Sequence, residues 1–164
     1  MQGDPKVIEV LRFAIAQEAH LNAQYRSDWR VLKFAGLKKL ANVAHGFGDD
    51  AHRWLKKVQD RVLLLEGDIG YTPGPVIEVK SANSPVVSLF KAELALEMGI
   101  VKPYEQAIQT CMTALDDTSR NLFEHLLKWH QEGEKKQIGH VLWLEQQLRL
   151  IAAIGESEYI AEQL

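Results

Sequence analysis

The chain has 164 residues, of which 46% are hydrophobic and 25% are charged, and its formal net charge is −3. This length is typical of one domain with a continuous core, and the composition is that of an ordinary globular protein. The slightly acidic balance, without a tail rich in Lys and Arg, argues against nucleic acid as a partner. No apolar run approaches the roughly 20 residues that span a membrane, so we expect no membrane segment.

Two further features lead us to expect a cytoplasmic protein. Cys111 is the single cysteine, which excludes an internal disulfide and fits a reducing compartment. The segment from Met1 to Pro5 leads straight into an amphipathic stretch, without the basic and apolar regions of a secretory signal.

The chain divides into four long helical stretches and one short one, in which apolar residues recur in steps of three and four. Asp4 and Pro5 form a helix start, with Asp as the N-cap and Pro at the first helical position. Gly36 and Gly67 follow the first and second stretches, where glycine commonly ends a helix. The predicted helices cover residues 5–35, 37–66, 86–115, 117–154 and 156–163.

The connections predict how these helices pack. The connection over residues 68–85 is long and dense in Gly and Pro, whereas the connections within the first and second pairs of helices are short. Short connections make each pair antiparallel, and a long one must cross the length of the bundle. We therefore predict a single all-α domain over residues 1–164. It is a ferritin-like four-helix bundle with a long crossover between the second and third helices and a short fifth helix.

Two glutamates lie in the middle of otherwise apolar helical faces, Glu18 on the first predicted helix and Glu97 on the third. An ionised carboxylate is costly to bury without a partner, and a metal ion is one such partner. A complete di-iron bundle takes one Glu from each of two helices and a Glu-x-x-His pair from each of the other two. Glu18 and Glu97 therefore predict half of a metal site.

The other two helices supply an incomplete set of ligands. The inward face of the fourth contains Gln137-x-x-His140, in which an amide replaces the carboxylate, and also His130. A glutamine offers a neutral oxygen and cannot bridge two metal ions as a carboxylate does. The inward face of the second helix carries Ala51 and Trp54, neither of which binds metal.

Two interpretations of this set remain open. In the first, Glu18, Glu97 and His140 hold one cation weakly, with Gln137 and His130 as weaker candidate ligands. In the second, hydrogen bonds hold the glutamates, and the histidines are core residues with satisfied nitrogens. Neither interpretation supports oxidation chemistry at two iron ions.

Several short segments in colinear order carry a family resemblance. They are Met1-Gln2-Gly3-Asp4, Asn22-Ala23-Gln24-Tyr25, Gly36-Leu37-Lys38-Lys39-Leu40, Leu64-Leu65-Glu66-Gly67, Leu94-Ala95-Leu96-Glu97, Trp143-Leu144-Glu145 and the tail from Tyr159 to Leu164. No single segment is decisive, but the ordered set resembles the bacterioferritins over essentially the whole chain.

The resemblance implies an assembly and an activity. Bacterioferritins pair into dimers with haem b between the partners, and they form a hollow 24-subunit octahedral shell that oxidises ferrous iron and stores ferric mineral. Glu18 and Glu97 match the two single-glutamate ligands of the family, whereas Ala51 and Trp54 stand where its second helix has Glu and His. The ferroxidase site is therefore expected to be degenerate, and whether the chain is an enzyme stays open.

The fourth helix allows two registers against the Glu-x-x-His pair of the family. Gln137 and His140 match the pair if a seven-residue insertion precedes them, and His130 and Gly133 match it if the insertion follows Gly133. We favour Gln137 and His140, because the segment that begins at Trp143 then stays in register.

His52 is the candidate axial ligand for haem. The family uses a methionine of the second helix, donated by both partners across a two-fold axis, and the resemblance places His52 at that position. Histidine ligates haem iron well. The alternative is a surface histidine at a dimer interface.

These residues lead to three functional hypotheses. The first is a bacterioferritin-like subunit of an iron-storage shell with impaired or absent ferroxidase activity, which binds haem at the dimer interface and co-assembles with an active paralogue. The second is a dimer that binds haem and transfers electrons without storing iron. The third is an enzyme with a mononuclear metal site built from Glu18, Glu97 and His140.

Overall fold

The computed structural model describes residues 2–72, 74, 86–134 and 137–164. The elements in chain order are α1 (Pro5–Phe34), α2 (Lys38–Leu64), α3 (Val86–Thr113), α4 (Asp117–Gln131), β1 (Gly133–Glu134), β2 (Gln137–Ile138), α5 (His140–Ile154) and α6 (Glu156–Glu162).

The ends of α1 follow from local chemistry. Asp4 accepts a hydrogen bond from the backbone N–H of Lys6, and Pro5 occupies the first turn, where its missing N–H costs nothing. Gly36 adopts a φ of 83° after the helix, a left-handed conformation that favours glycine. The predicted start of the first helix is therefore confirmed.

The first two helices form an antiparallel pair. Gly3 donates its backbone N–H to the carbonyl of Leu65 at 3.0 Å, and Asn22 donates its side-chain amide to the carbonyl of Gly48 at 2.8 Å. The start of α1 thus lies beside the end of α2. α3 packs against α1 and against both α4 and α5, so α4 and α5 together take the place of a fourth long helix.

The short α6 closes the bundle at the end where α3 begins. Its Glu156 side chain accepts a hydrogen bond from the backbone N–H of Val87 at 3.2 Å. Tyr159 is fully buried and donates its hydroxyl hydrogen to Gln147 of α5 at 2.7 Å. The predicted all-α bundle with a short C-terminal helix is confirmed.

The fourth predicted helix, over residues 117–154, is not continuous, which corrects the sequence-based boundary. α4 ends at Gln131, and the antiparallel β1 and β2 separate it from α5. Gly133 has a φ of 84°, and a Cβ atom at this residue would lie 2.0 Å from the carbonyl oxygen of Gln137. A Cβ atom at Gly139 would lie 2.6 Å from the backbone nitrogen of Gly133. The two glycines therefore allow a tight hairpin that interrupts the helix.

Residues 73 and 75–85, which form most of the predicted crossover, lie outside the described residues, so its path stays a prediction. The segment that precedes them runs beside α1, where the Arg12 guanidinium donates to the carbonyl of Gly70 at 3.0 Å. In the described part of the chain, no helix is both long enough and apolar enough to cross a membrane.

Candidate metal centre

Two tyrosine–glutamate hydrogen bonds join α1 and α3 in the middle of the bundle. Glu18 and Glu97 are both fully buried, as the sequence predicted. Tyr25 of α1 donates its hydroxyl hydrogen to Oε1 of Glu97 at 2.5 Å, and Tyr104 of α3 donates to Oε1 of Glu18 at 2.9 Å. Because each helix supplies one donor and one acceptor, the two hydrogen bonds tie α1 and α3 together in the core.

The imidazole of His130 lies between these two carboxylates. Its Nε2 atom is 2.9 Å and 3.1 Å from the two carboxylate oxygens of Glu18. Its Nδ1 atom is 2.8 Å from Oε2 of Glu97, but the direction of this contact makes it an ion pair rather than a straight hydrogen bond. His130 stands in the last turn of α4, so this helix ends at the site.

His140 continues the series toward α2. Its Nδ1 atom is 2.7 Å from Oε1 of Glu97, and its Nε2 atom is 3.1 Å from Oδ2 of Asp50. The ring of Phe47 stacks on the imidazole at a centroid distance of 3.9 Å. Asp50 also accepts hydrogen bonds from Arg53 at 2.7 Å and from Gln137 at 3.0 Å.

Carboxylates and imidazoles thus alternate through the core. We call this set the carboxylate–histidine network, and it consists of Glu18, His130, Glu97, His140 and Asp50. Every long helix contributes, since the members lie on α1, α4, α3, α5 and α2.

The electrostatics of the network favour charged groups despite burial. Burial by itself raises the pKa of Glu97, but the charges of His130 and His140 outweigh it and hold the pKa well below its usual range. Burial lowers the pKa of each histidine, yet the adjacent carboxylates raise the pKa of His130 strongly and that of His140 as well. The shifts favour the ionised form of each group, the carboxylate of Glu97 and the imidazolium forms of His130 and His140.

A sequence profile of the ferritin family, described as the ferritin-like domain, matches residues 8–154. The chain belongs to this family, as a bacterioferritin. It is 31% identical to the bacterioferritin of Streptomyces coelicolor over 161 residues, which cover 98% of this chain and 90% of that protein. It is 30% identical to the bacterial ferritin of Neisseria meningitidis serogroup A, with both chains covered completely.

A solved structure gives the same assignment. The bacterioferritin BfrA of Mycobacterium tuberculosis superposes on this chain with a TM-score of 0.90, at 28% identity, and covers 100% of this chain and 97% of its own. The resemblance inferred from short segments is thus confirmed over the full length.

In this bacterioferritin, one histidine from each of the two registers considered for the fourth helix contacts the network, His130 and His140. His140 reaches the network, but its expected companion Gln137 lies on β2 and contacts Asp50 instead. His130 occupies the place beside Glu18 and Glu97, whereas Gly133 lies on β1 and pairs with Ile138. The hairpin of β1 and β2 lies between the two histidines along the chain.

On α2, Ala51 and Trp54 are packing side chains. Ala51 is fully buried, and Trp54 is 6% exposed. The indole of Trp54 meets that of Trp129 edge to face at a centroid distance of 6.1 Å. These residues occupy core volume and offer no ligand for iron.

Asp50 is the site residue that the sequence argument missed. It lies one position before Ala51, at the edge of the inward face of α2, and is 5% exposed. The sequence did contain a signal for Asp50, namely an acidic residue at the edge of an apolar helix face. Its partner, His140 of α5, is evident only from the structure.

His52 lies outside the network, on the exposed face of α2. Charged side chains, including Asp49 and Arg53, lie within one helical turn of it on α2. Asp49 forms an ion pair with Arg26 of α1 and contacts His45 at 3.3 Å. The neighbourhood of His52 is therefore polar.

Proposed function

We propose that this bacterioferritin is a cytoplasmic subunit of an iron-storage shell and that its own ferroxidase activity is absent or strongly impaired. One observation carries the proposal. His130 bridges Glu18 and Glu97 with its two ring nitrogens, so a protein side chain occupies the space between the carboxylates. In a complete site of this architecture, metal ions bind there.

The ligand set does not fit two iron ions. A di-iron bundle uses four carboxylates and two histidines, and α2 contributes neither of its pair because Ala51 and Trp54 replace them. The place of the fourth-helix carboxylate is taken by His130, which adds positive charge when protonated. Two iron ions and a protonated His130 would all be positively charged and would repel each other in this buried space.

The shell part of the proposal is supported by similarity along the whole chain. Relatives described as bacterioferritin and bacterial ferritin match 98% and 100% of this chain, and the bundle superposes closely on a bacterioferritin. A subunit that keeps this fold but lacks the iron ligands would form part of the shell without catalysing iron oxidation. We therefore also propose co-assembly with a ferroxidase-active bacterioferritin, which would supply the oxidised iron.

The test combines particle sizing with ferrous oxidation. The purified chain should elute as a large hollow particle and should oxidise ferrous iron no faster than buffer does in the first minute. Co-expression with an active bacterioferritin should give mixed particles that oxidise iron in proportion to the active subunit. A small oligomer would refute the shell, and fast oxidation of stoichiometric iron by the pure chain would refute the loss of activity.

We propose as a second function a dimer that binds haem and transfers electrons, because His52 lies exposed. The imidazole suits an axial ligand, and its location on α2 is open to a partner chain. The surroundings do not suit the apolar faces of a haem, because the Arg26–Asp49 ion pair lies beside it. We therefore give haem no part in the leading proposal.

A haem titration decides this point. The His52→Ala variant and the parent chain should both fail to retain stoichiometric haem after gel filtration, as measured by the pyridine haemochrome spectrum. Stoichiometric haem in the parent, lost in His52→Ala, together with a dimeric particle size, would establish the second function instead.

A further inference from the structure

Two buried indole N–H groups lie outside the carboxylate–histidine network. Trp54 of α2 is 6% exposed and Trp129 of α4 is 7% exposed, and neither Nε1 atom has a hydrogen-bond acceptor among the residues that the structure describes. An indole nitrogen donates and does not accept, so the two nitrogens cannot satisfy each other. Buried donors in native proteins are normally paired, so these side chains indicate a ligand that accepts hydrogen bonds.

The contact between the two rings can account for at most one of these N–H groups. The ring centroids are 6.1 Å apart and the ring planes are inclined at 60°, which is an edge-to-face arrangement. In such a pair, one ring presents its edge to the face of the other, so only one N–H can point at a π system. The N–H of the other ring still needs an acceptor.

Two positively charged side chains cover the indole pair. The Arg53 guanidinium lies 4.9 Å from the centroid of the Trp129 ring, and the Lys57 ammonium lies 4.6 Å from that of the Trp54 ring. Arg53 pairs with Asp50 at 2.7 Å, whereas Lys57 forms no ion pair within the described part of the chain. The positive charge of Lys57 is therefore not neutralised there, and the ligand that it favours is an anion.

We propose that Trp54, Lys57 and Trp129 bind a tetrahedral oxyanion such as inorganic phosphate, with Arg53 at the edge of the site. An oxyanion has several acceptor oxygens, so it can accept from an indole N–H and from the adjacent ammonium together, which a monatomic anion does less well. The site goes beyond the proposed function, because none of the three binding residues belongs to the carboxylate–histidine network.

The experiment uses the purified full chain in phosphate-free buffer, titrated with inorganic phosphate by equilibrium dialysis. One phosphate per chain should bind saturably, sulfate should compete, and chloride at the same concentration should compete poorly. Ultraviolet resonance Raman spectra should show the tryptophan N–H band moving to its hydrogen-bonded position as phosphate binds. No saturable binding, binding without this change in the tryptophan band, or equal competition by chloride would overturn the proposal.

Lysine variants locate the anion. Lys57→Gln should weaken phosphate binding by about 10-fold or more, because a hydrogen bond from a charged donor is lost. Lys56→Gln is the matched control, since Lys56 is the exposed neighbour on α2 and its replacement changes the net charge equally. The control should bind phosphate like the parent. Equal weakening in the two variants would reveal a general effect of charge and rule out the site.

Phenylalanine variants test the indole donors. Trp54→Phe and Trp129→Phe each keep an aromatic ring and remove the N–H, and the double variant should bind phosphate roughly 3- to 10-fold more weakly than the parent. A double variant that is folded by circular dichroism and binds phosphate like the parent would contradict the proposal. If the double variant does not fold, the comparison of Lys57→Gln with Lys56→Gln still decides.

The two proposals fail separately, because phosphate binding is measured per chain and without iron. A large particle that does not oxidise ferrous iron and does not bind phosphate refutes the oxyanion site and leaves the proposed function standing. Fast ferrous oxidation by a chain that binds phosphate refutes the proposed function and leaves the oxyanion site standing.

Discussion

Gln137 donates a side-chain hydrogen to Oδ2 of Asp50 at 3.0 Å and so fastens the β hairpin to α2. The same carboxylate oxygen lies 3.1 Å from Nε2 of His140. The hairpin that interrupts the fourth helix thus contributes directly to the surroundings of the network. Residues that look like an insertion in the sequence take part in holding the site together.

The Gln137→Ala variant should loosen the hairpin while leaving the bundle folded. One partly buried hydrogen bond to a carboxylate is lost, so the free energy of unfolding should fall by about 0.5–1.5 kcal/mol. Amide hydrogen exchange should speed up over residues 132–139 and stay unchanged in α1. Gln106→Ala, at an exposed position of α3, is the control and should change stability by less than about 0.5 kcal/mol. Equal effects in the two variants would show that the contact does not hold the hairpin.

The Gly133→Ala variant tests the close approach of β1 to β2. The left-handed φ of 84° and the 2.0 Å approach of a Cβ atom to the Gln137 carbonyl both oppose a side chain. We expect a loss of about 1–3 kcal/mol in the free energy of unfolding. Gly99→Ala should have the opposite sign, a gain of about 0.5–1 kcal/mol, because Gly99 is helical and a Cβ there would have no neighbour within 4 Å. Urea unfolding at matched protein concentration measures both.

The sequence was sufficient to predict the bundle and the position of its two central glutamates. In a long helix, the 3.6-residue period alone decides which side faces inward, so Glu18 and Glu97 could be placed without tertiary information. Asp4 and Pro5 likewise marked the start of α1 through a local rule.

The break in the fourth helix could not be predicted from periodicity. Between His130 and His140, the residues at 133 and 137 continue the three- and four-residue steps, so the pattern favoured one uninterrupted helix. Gly133 and Gly139 were a signal for a turn, but glycine is also tolerated inside helices. The pairing of His140 with Asp50 depends on how α5 lies against α2, which no local pattern contains.

A second buried acidic pair makes stability depend on pH. Asp28 is 1% exposed and Glu93 is 3% exposed, and the Gln24 side-chain amide donates to Oδ1 of Asp28 at 3.0 Å. Burial raises the pKa of Asp28 from 3.8 to about 6, and burial together with the Asp28 charge raises the pKa of Glu93. The folded chain therefore binds protons more tightly than the unfolded chain. The stability that this binding contributes is complete below the unfolded pKa and is lost as the pH rises through about 6.

The Asp28→Asn variant should remove much of this dependence. An amide at this position can donate to the Glu93 carboxylate without adding a buried charge, so the variant should be more stable than the parent above about pH 7, by roughly 1–3 kcal/mol. Thermal midpoints measured from about pH 5 to 8 should fall with pH in the parent and stay flatter in the variant. Asp60→Asn, at an exposed position of α2, should keep the slope of the parent. A parent and an Asp28→Asn variant with the same slope would contradict the assignment.

Rebuilding the missing ligands should restore iron oxidation. The Ala51→Glu, Trp54→His, His130→Glu triple variant returns a Glu and a His to α2 and a carboxylate to the fourth-helix position. With Glu18, Glu97 and His140, it has the four carboxylates and two histidines of a di-iron bundle. We expect it to bind about two ferrous ions per chain and to oxidise them within seconds under stopped-flow conditions, whereas the parent does not.

Variants that restore only one of the missing ligands test whether ligand loss alone accounts for the absence of iron oxidation. Ala51→Glu alone places an uncompensated carboxylate at a fully buried position, so it should lower stability by several kcal/mol and give no oxidation. Trp54→His alone leaves a cavity beside Trp129 and should also be inactive, at a cost of about 3 kcal/mol. A triple variant that assembles normally and binds iron but does not oxidise it would show that the hairpin and Phe47, rather than the missing ligands, block the chemistry. Because Phe47 stacks on His140, adding Phe47→Glu to the triple variant would then distinguish these two elements.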